Sequence, residues 1–186
     1  MGSISSALRP LTSSAPEGTR SHRAEGDKLA ALGCAVVTVS DSRTEANDES
    51  GALIQQLVVA AGHRVADYAL FKNDESAVRE HVRVLLARED VDAILLTGGT
   101  GLSSRDRTVE AVRPLIEKEL PGFGELFRVV SFQEQVGTAA ILSRAFACAS
   151  RGTLIVSMPG SKAAVELALT QILLPELRHA VRELRR

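Results

Sequence analysis

Tryptophan is missing from the 186 residues, tyrosine occurs once, and aromatic side chains make up 3%. Stacking platforms for nucleic-acid bases are therefore scarce. Neither sign of charge is in excess, with 22 Lys and Arg against 23 Asp and Glu, so the basic footprint of a nucleic-acid binder and the acidic run of a solvating tail are both missing. Cysteine occurs only at Cys34 and Cys148, each in an apolar stretch. The two read as buried thiols in a reducing cytoplasm, and their separation suits no metal site. No apolar run reaches the roughly 18 residues of a membrane span. Cys-x-x-Cys, His-Glu-x-x-His and Gly-x-Ser-x-Gly do not occur, which leaves nucleophilic side-chain catalysis without support. His22, His63, His81 and His179 stand isolated and read as surface or helix-face residues. A small polar ligand held by backbone and short side chains fits this inventory best.

Residues 1–32 are rich in Ser, Ala, Pro and Gly with scattered charge and no apolar period, and they read as a disordered leader. Met1-Gly2-Ser3-Ile4-Ser5-Ser6 nominally matches a myristoylation pattern, and Arg9, Arg20 and Arg23 among serines resemble a transit peptide, against which Glu17, Glu25 and Asp27 argue. Residues 33–186 then read as one domain. Ala35 to Ser40 is a β-branched run suited to a strand buried on both faces. Ser50 to Ala61 carries Leu53, Ile54, Leu57 and Val58 at helical spacing and stops at Gly62. Arg64–Phe71 reads as a second strand, Glu75–Arg88 as a helix, Asp92–Thr97 as a third strand and Thr108 to about Leu120 as a further helix. Short strands at Phe146–Cys148 and Thr153–Ser157 flank an Arg151-Gly152 turn. A helix follows from Ala163 to Leu173, Pro175 breaks it, and Glu176–Arg185 forms an amphipathic tail. This alternation predicts a three-layer, doubly wound, mostly parallel α/β sheet with helices on both faces, whose ligand sits at the carboxyl ends of the strands.

The third strand runs directly into Gly98-Gly99-Thr100-Gly101-Leu102-Ser103-Ser104-Arg105-Asp106. Glycines let successive N–H groups turn toward a phosphate, and Thr100, Ser103 and Ser104 add hydroxyl donors. A β-branched side chain at Gly99 is expected to fill this cradle and to resist positive φ. Asp106 would repel a bare phosphate, which points to a divalent cation such as Mg²⁺ between carboxylate and phosphate. A glycine-rich turn with Asp106 as the cap of the next helix accounts for the same residues. The residue after Gly101 is Leu102 where a P-loop requires Lys, and the glycine spacing is not that of a dinucleotide fingerprint. Asp48, Asp74 and Asp106 all lie near predicted strand ends; each reads singly as a helix cap and together as a hard-cation site beside a phosphate cradle.

The ordered motifs Thr38-Val39-Ser40-Asp41-Ser42-Arg43, Asp48-Glu49-Ser50-Gly51, Leu96-Thr97-Gly98-Gly99-Thr100-Gly101, Ser104-Arg105-Asp106, Pro121-Gly122-Phe123-Gly124, Leu142-Ser143-Arg144 and Met158-Pro159-Gly160-Ser161 resemble the MoaB/MogA family of molybdenum cofactor biosynthesis, related to the Cnx1 G and gephyrin G domains. Phe123 to Arg128 and Ser131-Phe132 lean toward the MoaB branch. The resemblance covers residues 33 to 184. It implies a molybdopterin-binding fold assembled as a homo-oligomer, trimer or hexamer, that adenylylates molybdopterin with Mg²⁺-ATP and releases pyrophosphate. By the same resemblance Asp74 and Asp106 are the catalytic, Mg²⁺-holding carboxylates, and Gly98, Gly99, Thr100 and Gly101 cradle phosphate. Ser40, Asp41, Ser42, Asp48, Arg105, Ser143, Ser157, Pro159, Gly160, Ser161 and Lys162 shape the pocket. A non-catalytic molybdopterin-binding or carrier protein is the competing expectation. Neither reading involves nucleic acid or a membrane.

Overall fold

The computed structural model describes residues 29–186. Its strands are β1 (Gly33–Val39), β2 (Arg64–Phe71), β3 (Ala93–Thr97), β4 (Lys118–Leu120), β5 (Phe146–Ser150) and β6 (Thr153–Met158), and its helices α1 (Glu49–Ala60), α2 (Glu75–Leu85), α3 (Thr108–Val112), α4 (Pro121–Ser131), α5 (Lys162–Leu167) and α6 (Leu177–Leu184). The strands form one sheet in the order β2-β1-β3-β6-β5-β4. The first four are mutually parallel, and β5 runs antiparallel between β6 and β4.

β1 and β3 are buried at every position, as their continuous apolar composition requires of central strands covered on both faces. Side chains alternate between the two faces. Cys34, Val36, Leu95, Val156 and Met158 pack with Ile54 and Val58 of α1, Phe123 and Phe127 of α4, Val165 of α5 and Leu177 and Val181 of α6. Ala35, Val37, Ile94, Leu96 and Ile155 pack on the other side with Val78, Val82 and Leu85 of α2 and Ala111 and Val112 of α3. The result is the expected three-layer, mostly parallel α/β fold. Each fully buried Leu, Ile or Val contributes up to about 1.5–3 kcal/mol of transfer free energy, which is what holds the layers together. The two thiols are free and fall on opposite faces of the sheet. Burial pushes both up to about 12, so they behave as small hydrophobes.

Three expectations need correction. The helix expected over Thr108–Leu120 ends at Val112; a single tight turn, Arg113–Leu115, follows, and the chain then enters β4. Pro114 lacks the N–H that a continuing helix needs. A helix, α4, instead occupies Pro121–Ser131, with Pro121 at its start, where a missing N–H costs nothing. Finally, residues 1–28 lie outside the described residues, but residues 29–32 of the expected leader belong to the fold. Leu32 is 2% exposed in the core and Leu29 packs against it.

The amino edge of the sheet is stapled shut. Buried Asp92 accepts from the Gly33 N–H at 2.7 Å and pairs with Arg185 beyond α6. His63 Nδ1 accepts from the Leu32 N–H at 3.3 Å, and Arg178 donates to the carbonyls of Leu29 and Gly62. Among the described residues no helix is long and apolar enough to cross a membrane.

Candidate functional site

β1 and β3 are neighbours, but the chain leaves β1 for α1 on one face and β3 for α3 on the other. The loops therefore diverge, and a crevice opens between them at the carboxyl edge, as the switch point of a doubly wound sheet demands. Here lies a cleft of about 740 Å³. The loop after β1 contributes Ser40–Arg43, the loop after β3 Gly98–Gly101, Ser103, Arg105 and Asp106, and the turn after β6 Pro159–Ser161. The opposite wall comes from α4 and the π- and 3₁₀-helical turns after it, Phe132–Val136 and Gly137–Leu142, through Phe127, Ser131, Gln135, Val136, Leu142 and the following Ser143.

The glycine loop is built to turn its carbonyls away from this space. The Gly98 carbonyl accepts from Thr108 Oγ1 at 2.8 Å and the Gly99 carbonyl from the Thr108 N–H at 3.1 Å. The Thr100 and Gly101 carbonyls accept from Arg144 Nε at 3.3 and 3.0 Å. Among the described residues nothing accepts from the N–H groups of Gly99, Thr100, Gly101 or Leu102. Gly98 and Gly99 have φ of +92° and +63°, the left-handed region that favours glycine. A Cβ on Gly98 would stand 2.2 Å from the Val39 carbonyl oxygen. One on Gly99 would stand 2.2 Å from Thr108 Oγ1 and 2.7 Å from Asn73 Oδ1. A side chain at Gly99 would thus break the loop's support from behind; it would not fill the cradle, as the sequence led us to expect.

Asp106 is half-buried at the cleft. One of its oxygens accepts from the Ser103 N–H at 3.0 Å while its own N–H donates to the Ser103 carbonyl, closing a tight turn. It does not cap α3, whose N-terminal position is held by Arg107 without a side-chain bond. Asp41, exposed at the mouth, accepts from the Asn73 N–H at 3.0 Å, while Lys72 Nζ donates to the Asp41 carbonyl at 2.6 Å. That Asn73 bond, with Arg105 and Lys72 nearby, holds the Asp41 carboxyl below its usual range.

The cleft thus gathers Ser40, Asp41, Ser42, Gly98, Gly99, Thr100, Gly101, Arg105, Asp106, Ser143, Pro159, Gly160 and Ser161 of the expected residues. Asp48, Asp74, Ser157 and Lys162 do not line it. Asp74 turns back to cap α2, accepting from the N–H groups of Ser76 and Ala77 at 2.9 and 3.0 Å, and its neighbour Asn73 takes the place on the wall. Ser157 is fully buried within β6. Lys162 stands 4.0 Å from Glu49. Asp48 lies beneath the site, capping α1 through the Gly51 N–H and receiving the Tyr68 hydroxyl at 2.9 Å. Burial alone would raise its pKa; the Thr38 hydroxyl beside it, these two donors and the Arg43 guanidinium outweigh that and lower it. Asp48 reaches the cleft only through Arg43, which bridges it to the Gly160 carbonyl at 3.3 Å.

Arg43, Asn73, Gln135 and Arg144 are the polar residues missed in the sequence. Arg43 and Arg144 had a visible signal, their places in Thr38-Val39-Ser40-Asp41-Ser42-Arg43 and Leu142-Ser143-Arg144, but the Arg144 carbonyl partners lie some forty residues away and the Gly160 carbonyl lies still further from Arg43. Among the described residues no three His, Cys, Asp or Glu side chains are grouped to hold a metal.

A family profile described as "Probable molybdopterin binding domain" (MoCF_biosynth) matches residues 35–179. Molybdenum cofactor biosynthesis protein B of Halalkalibacterium halodurans is 52% identical over 163 residues, spanning 88% of this chain and 95% of that protein. The protein of the same name from Bacillus subtilis is 48% identical over 153 residues, 82% of this chain and 90% of its own length. A crystal structure of a molybdenum cofactor biosynthesis protein B superposes with a TM-score of 0.81 at 46% identity, covering 84% of this chain and 97% of that one.

Proposed function

The chain belongs to the MoCF_biosynth family of molybdopterin-binding domains, on its molybdenum cofactor biosynthesis protein B branch, and from that premise we propose that it transfers AMP from Mg²⁺-ATP to the terminal phosphate of molybdopterin. The observation that carries the reading is the glycine loop, whose four carbonyls are held from behind while its N–H groups are left to an anion. Amides placed in advance bind phosphate without reorganising.

In this reading the loop fixes the molybdopterin phosphate as nucleophile. One of its oxygens forms a bond to the α-phosphorus of ATP, the bond from that phosphorus to the bridging oxygen breaks, and pyrophosphate leaves. No covalent bond to the protein is required, which agrees with the lack of a nucleophile motif. Positioning and charge then carry the rate. The donor set fits a hard cation that arrives with ATP, since Asp106 and Asp41 offer carboxylate oxygens at the cleft and no thiolate or imidazole competes. Two carboxylates with substrate phosphates and water are enough for Mg²⁺, which neutralises phosphate charge when bound. Arg105 adds charge at the mouth, and Asp74, at the carboxyl end of β2, reaches substrate only by leaving its cap. Phe127, Val136 and Leu142 give the pterin an apolar wall.

Assembly belongs to the same proposal. Leu126, Val129, Phe132, Val136, Ile141 and Leu142 are exposed along α4 and the helical turns that follow it, with Ile141 at 79%. A ridge of that kind is an association surface, and light scattering on the purified protein is expected to give the mass of a trimer or hexamer.

The competing reading, a carrier that holds molybdopterin without turnover, is favoured by one observation: Asp74 is spent on its helix cap. Incubation of the pure protein with molybdopterin and Mg²⁺-ATP separates the two. Adenylylated molybdopterin with equimolar pyrophosphate is expected. Tight binding without ATP consumption would establish the carrier, and no binding would defeat both.

A further inference from the structure

We infer that Arg144 is the positioning residue that holds the glycine loop open as an anion cradle, acting on the ligand only through the peptide groups it grips. This rests on the phosphate-binding reading above. Arg144 Nε donates to the Thr100 and Gly101 carbonyls, Nη2 to the Asp106 carbonyl at 3.2 Å, and Nη1 and Nη2 to the two carboxylate oxygens of Glu110. One side chain from the segment just before β5 thus ties both ends of the loop to α3.

The described peptide bonds are all trans, and in a trans unit the C=O and the following N–H point in opposite directions. Gripping the Thr100 and Gly101 carbonyls therefore presents the N–H groups of Gly101 and Leu102 on the opposite side. Thr108 does the same for Gly99 and Thr100 by holding the Gly98 and Gly99 carbonyls. The Thr108 N–H grip on the Gly99 carbonyl is backbone and survives any non-proline substitution, whereas the Arg144 grip on Thr100 and Gly101 is wholly a side chain that can be removed. Glycine allows a released peptide unit to rotate, which would turn carbonyl oxygens toward the phosphate.

Arg144 itself does not line the cleft. Glu110 offsets its charge, and that bond, its strongest influence, holds the Glu110 carboxyl below the usual range. The anion then meets amide dipoles in place of a cation. A lysine would keep the charge but not the planar fork needed for three carbonyls and a carboxylate at once.

The test uses the full chain, labelled for amide resonances, and titrated with inorganic phosphate. In the unaltered protein the amides of Gly99 to Leu102 are expected to shift on titration. In Arg144→Lys their apparent affinity is expected to fall about tenfold or more, with the amides of Ala147 and Ile155 in the sheet unmoved. Glu110→Gln, which leaves the carbonyl grip in place, is expected to stay within about threefold of the unaltered protein. Arg144→Lys responding like the unaltered protein overturns the inference, and so does Glu110→Gln losing as much as Arg144→Lys. Silence of the loop amides in the unaltered protein defeats the phosphate reading itself, a distinct result.

Discussion

Asp92 and Asp106 flank the same strand, one just before β3 begins and the other in the loop beyond its end, yet their surroundings differ. Asp92 is 7% exposed and its two oxygens are taken, by the Gly33 N–H and by Arg185. Asp106 is half-buried, uses one oxygen to close a turn and lines a cleft. The contrast extends along both edges of the sheet. At the amino edge His63, Arg178, Arg185 and Asp92 hold the chain at Leu29 to Gly33 to the rest of the fold. At the carboxyl edge the carbonyls are satisfied while N–H groups and hydroxyls are left over. The same residue types staple one end and equip the other, and what separates them is whether their hydrogen-bonding capacity is used up inside the protein.

The comparison can be broken by variants at either end. The largest effect is expected from Asp106→Asn, which keeps size and the turn but removes charge. Adenylyl transfer should fall about 100- to 1,000-fold, roughly 2.7–4 kcal/mol of transition-state stabilisation, with molybdopterin affinity and melting temperature nearly unchanged. Turnover at the unaltered rate, measured as pyrophosphate release, would remove Asp106 from the chemistry. Asp92→Ala should do the reverse. It strands the buried Gly33 N–H and leaves Arg185 without its partner, costing about 2 kcal/mol. For a domain of this size that lowers the melting temperature by about 4–8 °C, while molybdopterin affinity stays within about threefold. A calorimetric scan beside a binding isotherm reads both.

Asp74 sharpens the boundary, because it sits at the active edge yet makes the bonds of a staple. Asp74→Ala removes the cap of α2 and should cost about 1 kcal/mol, whereas Asp74→Asn should restore most of that stability. If Asp74→Asn is as stable as the unaltered protein but slow in adenylyl transfer, the aspartate leaves its cap during turnover; if it is fully active, Asp74 is a cap alone.

The smallest effect concerns pH. Burial, with Arg178 nearby and opposed by Asp92, lowers the folded pKa of His63 below its ordinary 6.5. The unfolded chain therefore binds a proton that the folded one refuses. Stability should decline as pH falls through 6.5 and level off once the folded histidine also protonates. Urea titrations across this range should show a slope that His63→Gln flattens, and an unchanged slope would assign the dependence to other groups.

Some of this was legible in the chain. β1, β3 and β6 are continuous apolar runs, and a parallel sheet buried on both faces leaves little else for them to be. The glycine loop was legible because the positive φ that Gly98 and Gly99 adopt favours glycine. The α4 helix was not, since Pro121-Gly122-Phe123-Gly124 carries the marks of a loop. Tertiary contact overrides that propensity: a Cβ on Gly124 would stand 2.6 Å from the Ala145 carbonyl, so glycine there lets helix and strand approach closely. Val109, Val112, Leu115 and Ile116 have helical spacing, but Pro114 and the short edge pairing of β4 with β5 decide the outcome. Among site residues the aspartates were visible by type, but not which of them would spend its oxygens on a cap. Arg144 and Arg43 were hidden for a related reason, since backbone carbonyls elsewhere in the chain leave no trace in side-chain identity.

The central claim is that phosphate rests on the exposed amides of the glycine loop. The most direct measurement is a crystal structure of this protein grown with molybdopterin. The account predicts phosphate oxygens about 2.7–3.2 Å from the N–H groups of Gly99 to Leu102, with Asp106 beside them and the Arg144 grip intact. A phosphate bound elsewhere in the cleft, with those amides facing only solvent, would contradict it.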